Sequence, residues 1–129
     1  MRILGIDYGT KRIGIALSDD TLSFAFPKTV FKNKKDIISG IKKIVEENDV
    51  SEIVIGQSLN LKGGNNPLME NIRTFSDALG KEIGIPIHFE PEYFTSVEAR
   101  KSNPKEGMID ASAAALILQR FLDKRKERG

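Results

Sequence analysis

Arg2-Ile3-Leu4-Gly5-Ile6-Asp7, the turn Tyr8-Gly9-Thr10-Lys11, and the segment Arg12-Ile13-Gly14-Ile15-Ala16-Leu17-Ser18 together decide the fold of this chain. Residues 2–7 form an apolar run that ends in a carboxylate. Residues 12–18 alternate between large apolar side chains and mostly small ones, which predicts a strand. A glycine-containing turn between two strands predicts a β-hairpin. Asp7 is therefore expected at the C-terminal end of a central strand.

Asp7 is an unusual residue for such a position, because burying an unpaired charge is costly. A carboxylate there needs a cation or hydrogen-bond donors. The small residues Gly9, Gly14 and Ala16 leave room nearby for a bulky ligand. The structural alternative is an aspartate that only caps the turn.

Composition restricts the class of protein. The chain has 129 residues, 40% of them hydrophobic and 29% charged, which predicts one globular domain over residues 1–129. It has no cysteine, which excludes disulfides and thiolate metal sites. It has neither an apolar run long enough to span a membrane nor a signal-like N-terminus, so we expect a cytoplasmic protein without a membrane partner. The net charge of +2 is too small to indicate a nucleic-acid partner by itself.

The remaining segments alternate between helix and strand patterns. Strands are predicted at residues 24–31, 53–56 and 85–89, and Pro27 places the first of them at a sheet edge or a bulge. Helices are predicted from residues 33–36 to Asn48, from Asn66 to near Gly80, over residues 95–100 and over residues 109–126. Residues 57–66 are predicted to be a loop. This order predicts an α/β fold with a mixed five-stranded sheet and helices on both faces.

Three acids are expected at the carboxyl ends of the strands, where open α/β sheets bind ligands. Asp7 ends the first strand and Glu92 follows the last one. Asp110 lies in the first turn of the final helix and heads an apolar stripe. Oxygen ligands select Mg²⁺ or Mn²⁺, so the sequence predicts a metal site formed by Asp7, Glu92 and Asp110. Taken singly, Asp110 also suits a favourable charge at a helix N-terminus, and Glu92 a solvated loop acid.

Carboxylates that hold Mg²⁺ suit phosphodiester hydrolysis, for which paired ions about 3.5–4 Å apart are the usual arrangement. Basic residues near the three acids could bind the phosphates of a nucleic acid: Lys11, Arg12, Lys62, Arg73, Arg100, Lys101 and Lys105. Most other basic residues, including Lys34, Lys35, Lys42 and Lys43, are read as solvated surface charges, and those of residues 124–128 as a frayed helix end. His88, the only histidine, is read as structural.

Four segments resemble the YqgF (RuvX) family, in the family's order and from Met1 to about Asp123. They are Ile6-Asp7-Tyr8-Gly9-Thr10-Lys11-Arg12-Ile13-Gly14-Ile15-Ala16, Ile55-Gly56 with Leu59-Asn60 and Gly63, Phe94-Thr95-Ser96-Val97-Glu98-Ala99, and Ile109-Asp110-Ala111-Ser112-Ala113-Ala114-Ala115-Leu116-Ile117-Leu118-Gln119. The resemblance implies a ribonuclease H-like fold. It also implies a nuclease that processes pre-16S ribosomal RNA or resolves Holliday junctions, with metal-binding acids at Asp7, Glu92 and Asp110.

The chain departs from the family pattern at two places. Pro91-Glu92-Tyr93 stands where the family usually has Asp-Glu-Arg, so the central acid remains and its neighbours differ. Losing the arginine removes a source of transition-state charge stabilisation. Gly56-Gln57-Ser58 stands where the family has Gly-x-Pro.

Two other functions fit parts of the sequence. A non-catalytic nucleic-acid-binding protein would follow if the changes at Pro91 and Tyr93 had ended catalysis. Asp7-Tyr8-Gly9-Thr10 followed by Gly14 also resembles the first phosphate loop of ATP-binding phosphotransferases, although that fold needs two such domains. Structured RNA is the preferred partner and branched DNA the alternative. A monomer or a weak dimer is expected, because the sequence has no coiled-coil heptad.

Overall fold

The computed structural model describes residues 1–58, 67–92 and 106–128, without the side chains at positions 58, 67, 92, 106–110, 127 and 128. The strands are β1 (Arg2–Tyr8), β2 (Arg12–Ser18), β3 (Ala25–Lys32), β4 (Val50–Ser58) and β5 (Ile87–Glu92). The helices are α1 (Ile37–Glu47), α2 (Pro67–Ile83) and α3 (Glu106–Arg128). Within the described ranges, no helix is both long and apolar enough to cross a membrane.

The five strands form one mixed sheet in the order β3-β2-β1-β4-β5. β1 pairs antiparallel with β2, which confirms the predicted hairpin, and β2 pairs antiparallel with β3. β1 and β4 are parallel, as are β4 and β5. The carboxyl ends of β1, β4 and β5 therefore lie at one edge of the sheet, and β1 is the central strand.

Helices cover both faces of the sheet, as the order of strands and helices predicts. Ile13, Ile15 and Leu17 pack in a core with residues of α1 and α2, such as Ile41 and Leu79. On the other face, Ala16, Ile3 and Val54 pack with Ala114 and Leu118 of α3. Because β4 contributes to both cores, its continuous apolar sequence has a direct structural cause.

Pro27 lies in an edge strand beside a bulge, so both predictions for this proline are confirmed. Ile15 pairs with Thr29 whereas Ala16 pairs with Pro27, which leaves Lys28 as the extra residue. Proline cannot donate a ladder hydrogen bond and is tolerated where the ladder is open or interrupted.

Several predicted strand boundaries are wrong. β4 continues through Gln57 and Ser58, which were predicted to lie in a loop, because they pair with Pro91 and Glu92 of β5. β5 correspondingly runs from Ile87 to Glu92 instead of ending at Phe89. α2 ends at Ile83, near Gly80 as predicted, and Gly84, whose φ is +75°, is the residue suited to follow the last helical turn.

Of the other predictions for helices and loops, some are confirmed and some fall on residues that the structure does not describe. α1 and α3 confirm the predicted helices, and α3 begins three residues before the predicted start at Ile109. The helix predicted over residues 95–100, and most of the loop predicted over residues 57–66, lie outside the described residues.

Candidate active site at the carboxyl edge of the sheet

Asp7 is the penultimate residue of β1 and pairs with Gly14 of β2. The turn that follows it has a demanding geometry. A Cβ at Gly9 would lie 2.5 Å from the carbonyl oxygen of Arg12, so this position requires glycine. The Asn33 side chain donates a hydrogen bond to the Gly9 carbonyl (2.9 Å), and the Asn33 N–H donates to the Lys11 carbonyl (2.9 Å). Asn33 therefore fixes the turn that follows Asp7 at two points.

Asp7 lies on the face of the sheet that α3 covers. Alternate residues of a strand share a face, and Ile3 and Gly5 of β1 both contact this helix. A Cβ at Gly5 would lie 2.8 Å from the Cβ of Leu118 and 3.0 Å from the carbonyl oxygen of Ala114. Only glycine allows the helix to approach so closely, and the approach occurs two residues before the acid.

The direction of α3 places its N-terminal end toward the same edge. Ala114 and Leu118 lie over Gly5, whereas Arg125 binds Glu52, which pairs with Ile3 near the start of β1. Asp110 is one turn, or about 6 Å of helix, before Ala114. Asp7 is two residues, or about 7 Å of strand, beyond Gly5. The backbone at Asp110 and Asp7 therefore lies on the same side of this crossing.

Glu92 is the last residue of β5 and pairs with Ser58. Ile6 pairs with Ile55, and Gly56 pairs with Glu90, so Asp7 is level with Glu90, and Glu92 lies two residues, or about 7 Å of strand, beyond that level. Two strand spacings, about 10 Å, separate β1 from β5. Among the side chains that the structure describes, no three histidine, cysteine or acidic residues form a metal cluster. The side chains of Glu92 and Asp110 are outside that set.

The predicted phosphate-binding residues lie in different parts of the structure. Lys11 and Arg12 are exposed in and after the turn that follows Asp7. Arg73 is exposed on α2, which covers the other face of the sheet. A contact between Tyr8 and Phe75, with ring centroids 5.0 Å apart, keeps this part of α2 near the carboxyl edge. Lys62, Arg100, Lys101 and Lys105 lie outside the described residues.

A second polar cluster, which the sequence did not predict, joins α3 to β4 and β5. Arg125 donates two hydrogen bonds of 2.8 Å to the Glu52 carboxylate, and His88 Nε2 lies 2.8 Å from Glu52 Oε1. The hydrogen bonds from Arg125, followed by the bond with His88, lower the pKa of Glu52 to about 2. Phe121 contacts both partners, 5.2 Å from the His88 ring and 4.9 Å from Arg125 Cζ. This arrangement agrees with the structural role predicted for His88.

Beside this cluster is a cavity of about 470 Å³, here called the β5–α3 groove. His88, Glu90 and Pro91 line it from the strand, and Phe121, Lys124 and Arg125 line it from the helix. The Glu90 side chain is 4% exposed and accepts a hydrogen bond of 2.5 Å from Lys124. Lys124 and Arg125 are thus firmly paired, so the prediction of a frayed helix end is wrong for them. Lys124 and Arg125 follow Phe121 by three and four residues, which places all three on one side of the helix. This spacing was the sequence signal for their pairing.

Known proteins resemble this chain in sequence over nearly its whole length. The model of the RuvX family, described as Holliday junction resolvase, matches residues 1–124. A protein of Koribacter versatilis is 38% identical, over 96% of this chain and 88% of its own length. A protein of Moorella thermoacetica is 35% identical, over 100% and 99% of the two chains. Both relatives carry the provisional name of pre-16S rRNA nuclease.

Solved structures resemble the fold at much lower sequence identity. RuvC of Thermus thermophilus in complex with a Holliday junction substrate superimposes with a TM-score of 0.64 at 15% identity, covering 98% of this chain and 96% of RuvC. The fowlpox virus Holliday junction resolvase gives a TM-score of 0.55 at 13% identity, covering 96% and 99% of the two chains. These likenesses confirm the predicted ribonuclease H-like fold. Because the family model and the relatives span almost the entire sequence, the chain belongs to the RuvX family.

Proposed function

We propose that this protein is a divalent-metal-dependent endonuclease that hydrolyses RNA, with pre-16S ribosomal RNA as its substrate in the cytoplasm. The observation that carries the proposal is the position of Asp7. It is the penultimate residue of the central strand, on the face covered by α3, and the exposed cations Lys11 and Arg12 lie in and after the turn that follows. An acid beside exposed cations, at the edge where α/β sheets bind ligands, suits a phosphodiester substrate. The provisional name of the relatives supports the choice of RNA.

The residues available at this edge fit a hard divalent cation. The chain has no cysteine, and its only histidine is bound to Glu52 on the opposite side of the crossing by α3. Asp7, Asp110 and Glu92 offer only oxygen ligands, which favour Mg²⁺ or Mn²⁺. When bound, such an ion makes water more acidic and stabilises charge on the departing oxygen.

The acidic and basic residues at this edge have different proposed roles. Asp7 and Asp110 are the proposed main ligands, and Glu92 completes the site or accepts the proton of the attacking water. The water oxygen forms a bond to phosphorus while the bond to the departing ribose oxygen breaks. Lys11 and Arg12 bind flanking phosphates and orient the strand, so we expect them to affect substrate binding more than the chemical step.

The departure at Pro91 is compatible with this site. Pro91 pairs with Gln57, and the β4–β5 register continues to Glu92. Ser58 retains a backbone N–H that the family's proline lacks, which allows β4 to extend beside Glu92. The arginine that the family usually has at position 93 is tyrosine here, so we expect Lys11 and Arg12 to carry more of the phosphate contact.

The first experiment is cleavage of pre-16S precursor RNA and of a four-way DNA junction, each with Mg²⁺, Mn²⁺ or EDTA. We expect metal-dependent cutting of the RNA, and a loss of more than about a hundredfold in Asp7→Asn, because even changes around the ligands of a metal cost 10–100-fold. Asp20→Asn, which changes an exposed acid between β2 and β3, is the matched control and should cut normally.

Each alternative has its own outcome in this experiment. Cutting of the junction in preference to RNA would support the activity in the family's description, Holliday junction resolution. Binding of both substrates without metal-dependent cutting would identify a non-catalytic nucleic-acid-binding protein. Full activity of Asp7→Asn, with an unchanged melting temperature, would contradict the proposed site.

A further inference from the structure

The outer edge of the sheet, formed by β3 and the residues that follow it, is strongly basic. No acidic residue lies between Asp20 and Asp36, and the segment contains four lysines. We call these the β3 rail: Lys28, Lys32, Lys34 and Lys35. All four are exposed, and none forms an ion pair with any residue that the structure describes. Their charges therefore remain available to an anionic partner.

Two aromatic residues lie exposed at the start of this edge. Phe24 is 61% exposed and Phe26 is 54% exposed, although burial of a phenyl ring is worth about 2–3 kcal/mol. Lys126 Nζ lies 5.9 Å from the Phe24 ring centroid, which adds a cation beside the ring. Rings that neighbour lysines are the usual means of binding single-stranded nucleic acids, because every base can stack on a ring.

The turn that presents Phe24 is well ordered by hydrogen bonds. Asp19 Oδ1 accepts hydrogen bonds from the N–H groups of Ser23 (2.8 Å) and Phe24 (3.0 Å). These bonds, together with one from Thr21, lower the pKa of Asp19 to about 2, so its charge is already satisfied within the turn. A backbone ordered before binding loses little conformational freedom on contact with a ligand.

Strand addition by a second protein copy is a poor explanation for this edge. Pro27 has no N–H to donate, and the bulge at Lys28 interrupts the outer ladder. Exposed lysines on an edge strand also repel another copy of the same edge. Aromatic rings with lysines favour a polyanion with bases over a second protein copy.

The rail leads from the two rings to the candidate active site. β3 has eight residues, about 26 Å, and its last residue, Lys32, pairs with Arg12. Asn33 then binds the carbonyl oxygens of Gly9 and Lys11 in the turn that follows Asp7. A nucleic-acid strand lying along β3 would therefore reach the turn that follows Asp7, where Lys11 and Arg12 are exposed.

We propose that the β3 rail binds a single-stranded segment of the RNA substrate. Bases stack on Phe24 and Phe26, the lysines contact phosphates, and the strand continues to the carboxyl edge of the sheet. This proposal deepens the nuclease function and rests on it for the identity of the substrate. Binding in EDTA tests it without cleavage, so its failure can be distinguished from a failure of the nuclease proposal.

The experiment is fluorescence anisotropy with a labelled 15-nucleotide RNA and with the same RNA as a duplex, in EDTA at several salt concentrations. We expect Phe24→Leu/Phe26→Leu to weaken binding of the single strand at least tenfold, since stacking contributes about 1–3 kcal/mol per base. Phe24→Tyr/Phe26→Tyr, which keeps the rings, should bind like the wild type. Duplex binding should change little in either variant.

The lysines are tested through the dependence of the dissociation constant on salt. Two lost phosphate contacts should lower the logarithmic slope by about 1.4 in Lys28→Gln/Lys32→Gln. Lys42→Gln/Lys43→Gln is the matched control, because these α1 lysines already face Glu82 at 3.5 Å and Glu47 at 3.9 Å. Its slope should equal that of the wild type.

Three results would overturn the proposal. The first is equal affinity of the leucine variant and the wild type for the single strand. The second is an equal loss of slope in both lysine variants. The third is a wild-type dimer in sedimentation that the leucine variant dissociates, since the rings would then bind a second copy.

Discussion

The β5–α3 groove and the β3 rail both contain basic residues beside aromatic rings, but the basic residues are paired with acids only in the groove. In the groove, Lys124 binds the buried Glu90, and Arg125 binds Glu52. On the rail, no lysine has an acidic partner among the described residues, and the neighbouring rings face solvent. In the sequence, the run at residues 124–128 is the denser basic segment. A basic segment is therefore available for binding only if its side chains lack acidic partners in the fold. The density of basic residues along the sequence does not show this.

The largest expected effect on stability is in the groove. Lys124→Met leaves the Glu90 carboxylate buried without its cation, so we expect the free energy of unfolding to fall by about 2–3 kcal/mol. This is below the full cost of breaking a buried pair, because the Lys124 side chain is 53% exposed. Urea unfolding at pH 7 measures the change.

A double variant distinguishes the cost of the unpaired Glu90 charge from the cost of losing the Lys124 side chain. Lys124→Met/Glu90→Gln removes the unpaired charge and should recover part of the lost stability, as should the conservative change Lys124→Arg. Equal stability of Lys124→Met and the wild type would show that the groove pair contributes no more than a surface contact.

A smaller effect, with a pH signature, is expected at Glu52. Its pKa in the folded protein is about 2, below the ordinary value of 4.5, so the group stabilises the fold above pH 4.5 and loses this contribution as pH falls toward 2. Glu52→Gln should lower stability by about 1 kcal/mol at pH 7, since water screens the exposed part of Arg125. The difference between wild type and variant should shrink between about pH 5 and pH 2.

Acid unfolding of both proteins, followed by circular dichroism, tests this prediction. Asp19 has a similarly lowered pKa but is present in both proteins, so its contribution cancels. A difference that stays constant from pH 7 to pH 2 would contradict the role assigned to the Glu52 charge.

The smallest effect on stability is expected on the rail. Lys28→Gln/Lys32→Gln removes no ion pair with a described residue, so the free energy of unfolding should change by less than about 0.5 kcal/mol, as is usual for surface substitutions. The same variant is expected to change RNA binding. A stability loss as large as that of Lys124→Met would remove the distinction between the two regions.

Much of the fold could be predicted because its signals are local. Alternation in residues 12–18 defined the two faces of β2, and the apolar run at residues 53–56 indicated a strand covered on both sides. The ends of elements were harder to predict, because they depend on a partner strand. Gln57 and Ser58 are polar but extend β4 since β5 lies beside them, and Pro91 is accepted because β5 is at an edge.

The sequence supplied the residues of the proposed site, and the structure was needed to place them relative to one another. Asp7, Glu92 and Asp110 stood out because each follows or begins an element at the same sheet edge. Lys11 and Arg12 lie near Asp7, whereas Arg73 is on the helix that covers the other face of the sheet. Sequence periodicity could not show this difference. That difference depends on which face each helix crosses.

By itself, the sequence determined the central strand, its terminal acid, the glycine turn after it and membership of the RuvX family, because short-range pattern and motif carry this information. Only the tertiary structure decided which charges are paired. Lys124 meets Glu90 across 34 positions, and Arg125 meets Glu52 across 73, through the path of α3 over the sheet. Gly5 permits that path, because a side chain there would collide with Leu118. Such contacts depend on helix placement to within an ångström, which no local pattern encodes.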